Sequence, residues 1–268
     1  MAEDYNKIAG DFLEISSEQR LAILNKLYRS NSKISIIAKE LNATVPEIFR
    51  NFERLLKADL ITKDSDGSYK ISPYGKILCL QIPTLRFLSD NSKYLRDHDF
   101  GNMPERFLHR IGSLEKSQHV KGFVKVLEVW QEIYENANEY ICNVLLEVPY
   151  TSEMMEVLAK KINNGIKLQS ILSQDSIISK DRKQIFSKLG FKKMIDDGKI
   201  ERKMTKVVNV VIVLNEKEAC VMFPTNDGEV DMSHAFFGRD DDFHDWALDY
   251  FEYCWKKAGP FVESRLKE

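Results

Sequence analysis

Residues 44–75 read TVPEIFRNFERLLKADLITKDSDGSYKISPYG. Within this stretch the hydrophobic period changes from helical to alternating. Val45, Ile48, Phe49, Phe52, Leu55 and Leu56 recur at helical spacing and are expected to face inward, with Thr44 as N-cap and Pro46 in the first turn. Leu60 to Lys63 then reads as a strand. Asp64-Ser65-Asp66-Gly67 is a turn with glycine where positive φ is needed, and Ser68 to Ile71 is the return strand. Ser72-Pro73-Tyr74-Gly75 opens a further helix.

Upstream, residues 16–30 form a helix capped by Ser17, with Leu21, Leu24, Leu27 and Tyr28 as its apolar stripe. A short helix follows, capped by Ser35, with Ile36, Ile37, Ala38 and Leu41 inward, and Asn42-Ala43-Thr44 breaks it. Helix, short helix, three-residue turn, helix and hairpin is the order of a winged helix-turn-helix. The turn sets two helices at a steep angle, so the next can enter a major groove about 12 Å wide. The outward face of that helix holds Glu47, Arg50, Asn51, Arg54 and Lys57, with Thr44 at its start. Arginine pairs with guanine, asparagine with adenine, and glutamate accepts from cytosine N4. Lys63, Ser65, Ser68 and Lys70 of the hairpin are placed to hold phosphates. Glu53 and Glu47, each three residues from Arg50, leave open a plain solvated salt-bridge face.

Three motifs carry a family resemblance. They are Arg20-Leu21-Ala22-Ile23-Leu24, Leu55-Leu56-Lys57-Ala58-Asp59-Leu60-Ile61 and Tyr69-Lys70-Ile71-Ser72-Pro73-Tyr74-Gly75. Together they resemble bacterial and archaeal winged-helix regulators of the arsenic-repressor type. Asp59 departs from the pattern, standing where those proteins often have glycine; aspartate tolerates the left-handed conformation required there.

Residues 73–96 continue helically, and Pro83 is expected to kink or split them. Ile77, Leu80, Leu85, Leu88 and Leu95 suit either a homodimer helix or packing on their own chain. Asp97 to Pro104 (DHDFGNMP) is the expected linker. Three segments follow: a winged helix-turn-helix at 1–72, a connecting or dimerisation helix and linker at 73–103, and a second domain at 104–268.

The second domain alternates helices with near-continuous apolar strands. Helices are expected at 104–111, 120–138, 152–163 and 181–194, and strands at 139–148, 166–172, 199–204, 206–214 and 219–223. The expected class is therefore α/β overall: an all-α winged helix with a β-hairpin wing, then an α/β domain with helices on both faces of a sheet. The last helix, 242–255, is expected to be capped by Asp242. Phe243, Trp246, Ala247, Tyr250, Phe251, Cys254 and Trp255 form its apolar face, which reads as core.

Phe223-Pro224, Asp227-Gly228, Phe236-Phe237, Phe243, Trp246, Ala247, Phe251 and Tyr253, with PERFLHRIG at 104–112, resemble the middle domain of archaeal regulators of the methanogenesis (filament) regulator type. The resemblance implies a two-domain archaeal transcriptional regulator. Its second domain would be similar to the phospholipase D-like effector folds of archaeal sugar-responsive regulators, and it names no ligand.

Catalytic residues are not expected. Phospholipase D chemistry needs His-x-Lys-x-x-x-x-Asp, and His119-Val120-Lys121 has Val126 where the acid belongs. GxSxG, P-loop and HExxH patterns do not occur. No metal site or cofactor is expected either. Asp240, Asp241, Asp242 and Asp245 read as a helix start, and His98, His109 and His234 have no partner at ligand spacing in the sequence. An open sheet binds ligands beyond the carboxyl ends of its strands. That rule points to Glu147, Tyr150, Gln174, Asp175 and His234, with Arg202 for an anionic ligand.

Composition sets the outer bounds. Across 268 residues, 39 Lys and Arg stand against 41 Asp and Glu, giving a formal net charge of −2. Such balance excludes a histone-like coat but not a reader that concentrates basic residues on one helix. Residues 1–100 carry 15 basic and 14 acidic residues. Cys79, Cys142, Cys220 and Cys254 are far apart, without CxxC, as expected of buried reduced thiols. No apolar run spans a bilayer and the N-terminus lacks an apolar leader, so a cytoplasmic location is expected. The function expected from all this is a sequence-specific DNA-binding transcriptional regulator. Its partners would be an operator duplex, a second copy of itself and a small-molecule effector, with no membrane. The alternatives are a winged-helix protein-interaction module and a phospholipase D-like phosphodiesterase.

Overall fold

The computed structural model describes residues 5–147, 151–174, 176 and 182–266. The chain is mixed α/β and forms two compact units, Met1–Pro83 and Thr84–Glu268. The expected linker at 97–104 belongs to the second unit. Asp99 donates its amide to the Pro224 carbonyl at 3.0 Å, and His98 and Met103 are buried. Polar composition suggested a free connection there, but those backbone groups have partners on 224–226.

The first unit opens with α1 (Asn6–Ile15), then α2 (Glu18–Arg29), α3 (Ile34–Glu40) and α4 (Val45–Lys57). A hairpin of β1 (Ile61–Lys63) and β2 (Tyr69–Ile71) follows, then α5 (Pro73–Cys79) and the start of α6 (Ile82–Asp90). Ser17 caps α2 as expected, accepting from the Arg20 amide. Lys33, not Ser35, is the N-cap of α3, because the helix starts at Ile34, two residues earlier than expected. Thr44 is the N-cap of α4, without a side-chain capping bond. Asp59 takes the left-handed conformation at φ 59°, and the Leu60 amide bonds the Leu55 carbonyl at 3.0 Å, closing α4 in a Schellman-type end. Gly67 has φ 79°, and the hairpin pairs Ile61 with Ile71. The chain breaks between α5 and α6, with Pro83 in the first turn of α6.

Ile23, Leu24, Leu27, Ile37, Ile48, Phe52, Leu55 and Leu60 form the core of this unit. Four residues expected inside are not: Tyr28 is exposed, as are Ile36 (49%), Val45 (51%) and Phe49 (48%). The helical stripe is narrower than the run of apolar residues, and these lie beyond its edge.

The second unit adds α7 (Glu105–Leu108), β3 (Gln118–Lys121), α8 (Phe123–Asn136), β4 (Tyr140–Leu145), α9 (Ser152–Asn163) and β5 (Lys167–Ser173). It continues with α10 (Arg182–Leu189), α11 (Phe191–Asp196), β6 (Ile200–Thr205), β7 (Val211–Asn215), β8 (Ala219–Met222), β9 (His234–Gly238), α12 (Asp241–Lys257) and β10 (Gly259–Pro260). Among the described residues the strands make one eight-stranded mixed sheet, ordered β10-β6-β5-β4-β7-β8-β9-β3. β4, β5 and β6 are parallel, and the other pairings are antiparallel.

The expected helix at 120–138 gives its first residues to β3, and the helix at 181–194 divides at Gly190 (φ 74°). β9 and β10 were not anticipated: β9 follows a turn-rich run and β10 has two residues. Asp240, not Asp242, caps α12, accepting from the Phe243 amide. Phe243, Trp246, Ala247, Tyr250 and Phe251 are buried as core, and all four cysteines are free thiols. Among the described residues, no helix is long and apolar enough to cross a membrane.

Candidate functional site

Two sets of side chains stand out, one in each unit. The first lies on α4 and the hairpin. Ile48, Phe52 and Leu55 of α4 are fully buried, which turns the opposite face outward. Arg50, Arg54 and Lys57 are exposed on it, and Glu47 and Asn51 are half-buried. Gln19 of α2 donates to Glu47 at 3.1 Å and accepts from the Asn51 amide. Arg54 makes a two-pronged bond to Glu14 of α1, at 3.0 and 2.7 Å. Glu14 also meets Arg20 at 3.1 Å. The Arg54 hydrogen bonds hold the Glu14 carboxyl below the usual glutamate range despite partial burial, and Glu14 in turn raises Arg54.

The remaining hairpin residues divide. Lys63 is exposed with its ammonium 5.5 Å from the Tyr69 ring centroid, and Ser65 and Thr44 are exposed. Lys70 pairs with Asp64 at 2.5 Å. Ser68 is buried and its hydroxyl donates to Asp66 at 2.7 Å, so it is spent inside the turn. Helix and hairpin thus offer Arg50, Lys57, Lys63 and Ser65, none of them in an ion pair among the described residues, and Arg54 and Lys70 through ion pairs in which the basic side chain is exposed. Such pairs exchange cheaply for another anion.

The ligand candidates of the second unit are not gathered into one place. Glu147 and Gln174 follow the carboxyl ends of the parallel strands β4 and β5. Tyr150 and Asp175 lie outside the described residues. Arg202 sits within β6, its guanidinium 3.9 Å from the Phe261 ring centroid and 3.3 Å from Glu263. His234 begins β9, across the sheet. Arg202 does border a cavity of about 50 Å³ with Asn143, Ser170 and the buried Arg182. That is room for a few waters, against about 300–1,000 Å³ for a ligand pocket.

The second set centres on His234. Asp231 Oδ2 lies 2.7 Å from His234 Nδ1 and 3.0 Å from His98 Nε2. Its other oxygen, Oδ1, accepts from the Ser233 amide at 2.8 Å and the Ser233 hydroxyl at 2.6 Å. Partial burial works against the Asp231 charge, but these bonds prevail and hold its carboxyl well below the usual range. His98 is stacked on Tyr94, with ring centroids 3.8 Å apart, and its Nδ1 lies 3.0 Å from the Tyr94 carbonyl oxygen. His119 of β3 lies 5.3 Å from His234, centroid to centroid, because β3 and β9 pair at the end of the sheet. Burial, with Lys121 and the other two histidines, pushes His119 down to about 4. Its Nε2 is buried without a hydrogen-bond partner among the described residues.

The sequence gives little warning of this cluster. Only Asp231 and His234, three apart, are a local signal. His98 and His119 lie more than a hundred residues from that pair in sequence; His98 and His234, expected to have no partner at ligand spacing in the sequence, share one carboxylate oxygen in the fold.

No protein-family model and no curated protein matches the sequence. Among solved structures, similarity is found to TrmBL2, described as an archaeal chromatin protein with a novel mode of DNA binding. It is 13% identical over 91% of this chain and 93% of that one, with a TM-score of 0.42. NucT from Helicobacter pylori is 13% identical over 55% of this chain and 99% of its own, with a TM-score of 0.41. Nuc from Salmonella typhimurium, a phospholipase D family member, is 8% identical over 55% and 99%, with a TM-score of 0.39. At these values none of the likenesses identifies a function for this chain.

Proposed function

We propose that the chain is a sequence-specific DNA-binding transcriptional regulator. Its first unit is a winged helix-turn-helix, with α4 as the recognition helix and the β1–β2 hairpin as the wing. Its second unit senses a small molecule or mediates dimerisation rather than catalysing a reaction. The observation that carries this reading is α4 itself. One face is sealed in the core by Ile48, Phe52 and Leu55, while Arg50, Arg54 and Lys57 stand exposed on the other. The hairpin that follows adds exposed Lys63 and Lys70. Basic residues clustered on one such helix are the electrostatic footprint of a groove reader in a chain of near-zero net charge.

Fluorescence anisotropy on duplex DNA tests it. The wild-type chain is expected to bind a duplex selected from a randomised pool in preference to scrambled sequence, with log K falling steeply against log salt. Binding that ignores salt, or no duplex binding at all, removes the reading.

Glu14 adds a specific expectation. Glu14→Gln removes the carboxylate that competes with DNA for Arg54, so duplex affinity rises by about two- to fivefold. Unchanged or weaker binding by a variant with wild-type melting contradicts the role given to Arg54.

Exposed Ile8 and Phe12 on α1 and Tyr74 and Ile77 on α5 support the homodimer. The two helices are neighbours, tied by the Tyr74 hydroxyl donating to Asp11. Ile77→Asp is expected to weaken the dimer by about tenfold or more, read as a shift to monomer by light scattering. A wild-type chain that is monomeric at high concentration sinks the dimer.

A specific observation favours a second reading. Ile36, Val45 and Phe49 are exposed apolar residues on α3 and α4, and such a patch suits a protein partner. Salt-insensitive capture of a partner, lost with Phe49→Ser, would favour it. As to chemistry, Val126 is fully buried in α8 at the position where His119-x-Lys121 would need its acid. That supports a second unit without phosphodiesterase activity.

A further inference from the structure

We propose that His98, Asp231 and His234 form a binding site for one divalent transition-metal ion of the zinc class, with an open coordination position facing His119. The site lies wholly within Thr84–Glu268 and does not depend on what the first unit binds.

The hydrogen-bond geometry argues for a cation. The Tyr94 carbonyl can only accept, so His98 must donate to it from Nδ1. In a neutral ring, Nε2 then carries a lone pair, and it points at Asp231 Oδ2 from 3.0 Å. Asp231 Oδ1 is already saturated by the Ser233 amide and hydroxyl. Two acceptors therefore face each other, and something positive must lie between them: an ion, or a proton that turns His98 into imidazolium. His234 Nδ1 converges on the same oxygen. One donor atom from each of the three residues lies within 4.8 Å of the others.

The surroundings have the character of a ligating shell. A metal-bound histidine usually gives its other N–H to a carbonyl, which fixes tautomer and ring orientation; His98 does so to Tyr94, and the Tyr94 ring stacked on it at 3.8 Å holds it in place. Two imidazoles and one carboxylate suit zinc-class ions better than magnesium or calcium, which prefer all-oxygen shells. Bonds of about 2.0–2.2 Å in tetrahedral geometry put donors about 3.3–3.6 Å apart. The 2.7 and 3.0 Å separations must therefore open by roughly 0.3–0.9 Å. His234 is partly exposed at the start of β9 and Asp231 lies in the turn before it, so both have room to give and the ion has a path in. Three protein ligands leave a position for water. The buried His119 Nε2, without a hydrogen-bond partner among the described residues, supplies a group to hold such a water.

The test uses the full chain, stripped with a chelator and titrated with Zn²⁺ by calorimetry and with Co²⁺ by visible absorption. The expected result is one ion per chain. Co²⁺ should show the d–d bands of a four-coordinate N/O site, without thiolate charge transfer. His234→Ala and Asp231→Asn are each expected to weaken binding by at least about 100-fold, while Cys254→Ser leaves it unchanged. His234 is near the surface, so its variant should fold, which circular dichroism checks. Absence of binding by the folded wild-type chain overturns the proposal. So does binding that survives both ligand variants, or that carries thiolate charge transfer.

Discussion

Arg50→Ala/Arg54→Ala is expected to lower affinity for a selected duplex by about 100-fold or more and to erase its preference over scrambled DNA. The argument is one of position and chemistry. The two arginines stand four residues apart on the exposed side of α4, about one turn of helix, so on a groove-bound α4 they would reach nearby base steps. Neither supports the fold. Arg50 and Arg54 are exposed, and the half-buried Glu14 keeps its partner Arg20, so the variant should melt close to wild type. Anisotropy with a salt series measures both quantities. A double variant that keeps specific binding shows that α4 does not read the groove. Equal losses on selected and scrambled duplexes would instead assign the pair to phosphate contacts.

Gly75→Ala is expected to destabilise the first unit by about 3 kcal/mol or more. A Cβ at this position would stand 2.0 Å from the Leu60 carbonyl oxygen and 2.9 Å from its carbon. Both are backbone atoms, and that oxygen already accepts from the Ser72 amide at 3.0 Å. The start of α5 must therefore move. Its cap would go with it: Ser72 Oγ accepts from the Gly75 amide at 2.9 Å and donates to the Asp59 carbonyl at 2.6 Å. All three tryptophans, Trp130, Trp246 and Trp255, lie in the second unit. Denaturation followed by far-UV circular dichroism should show the loss, and tryptophan fluorescence should not. Coincident wild-type midpoints by both probes would mean that the α5 start yields at little cost.

How much of this was readable beforehand differs between the units. In the first, the decisive contacts are local. The Ser17 and Ser72 caps, the left-handed Asp59 and the Gly67 turn each follow from a few neighbouring residues, and each is found. The errors there concern the start of α3, capped by Lys33 and not Ser35, and which residues the core reaches: Tyr28, Ile36, Val45 and Phe49 have helical spacing but fall beyond the buried stripe. In the second unit the parallel strands β4 and β5 announce themselves as apolar runs, whereas β3 does not. Its QHVK has no strand-like pattern and becomes a strand only by pairing with β9. Most of the histidine–aspartate cluster was hidden for a like reason: His119 meets His234 through that pairing, and His98 reaches Asp231 through the pairing of its own segment with residues 224–226. Arg54 and Lys70 were recognisable as exposed basic residues, but not their partners Glu14 and Asp64. Where Arg202 points was equally hidden, since it depends on Phe261 and Glu263.

The pairing of β3 with β9 also bears on how the protein is made. β3 leaves the ribosome more than a hundred residues before β9, the one strand it pairs with among the described residues. At about 5–20 residues per second, that is roughly 5–25 s during which Gln118–Lys121 has no neighbour. The opposite edge closes later still, when Gly259 and Pro260 reach β6. The helical first unit is complete in sequence long before either event. A nascent chain therefore carries a finished N-terminal unit ahead of an open sheet. Chaperone demand and aggregation during synthesis should fall on Thr84–Glu268.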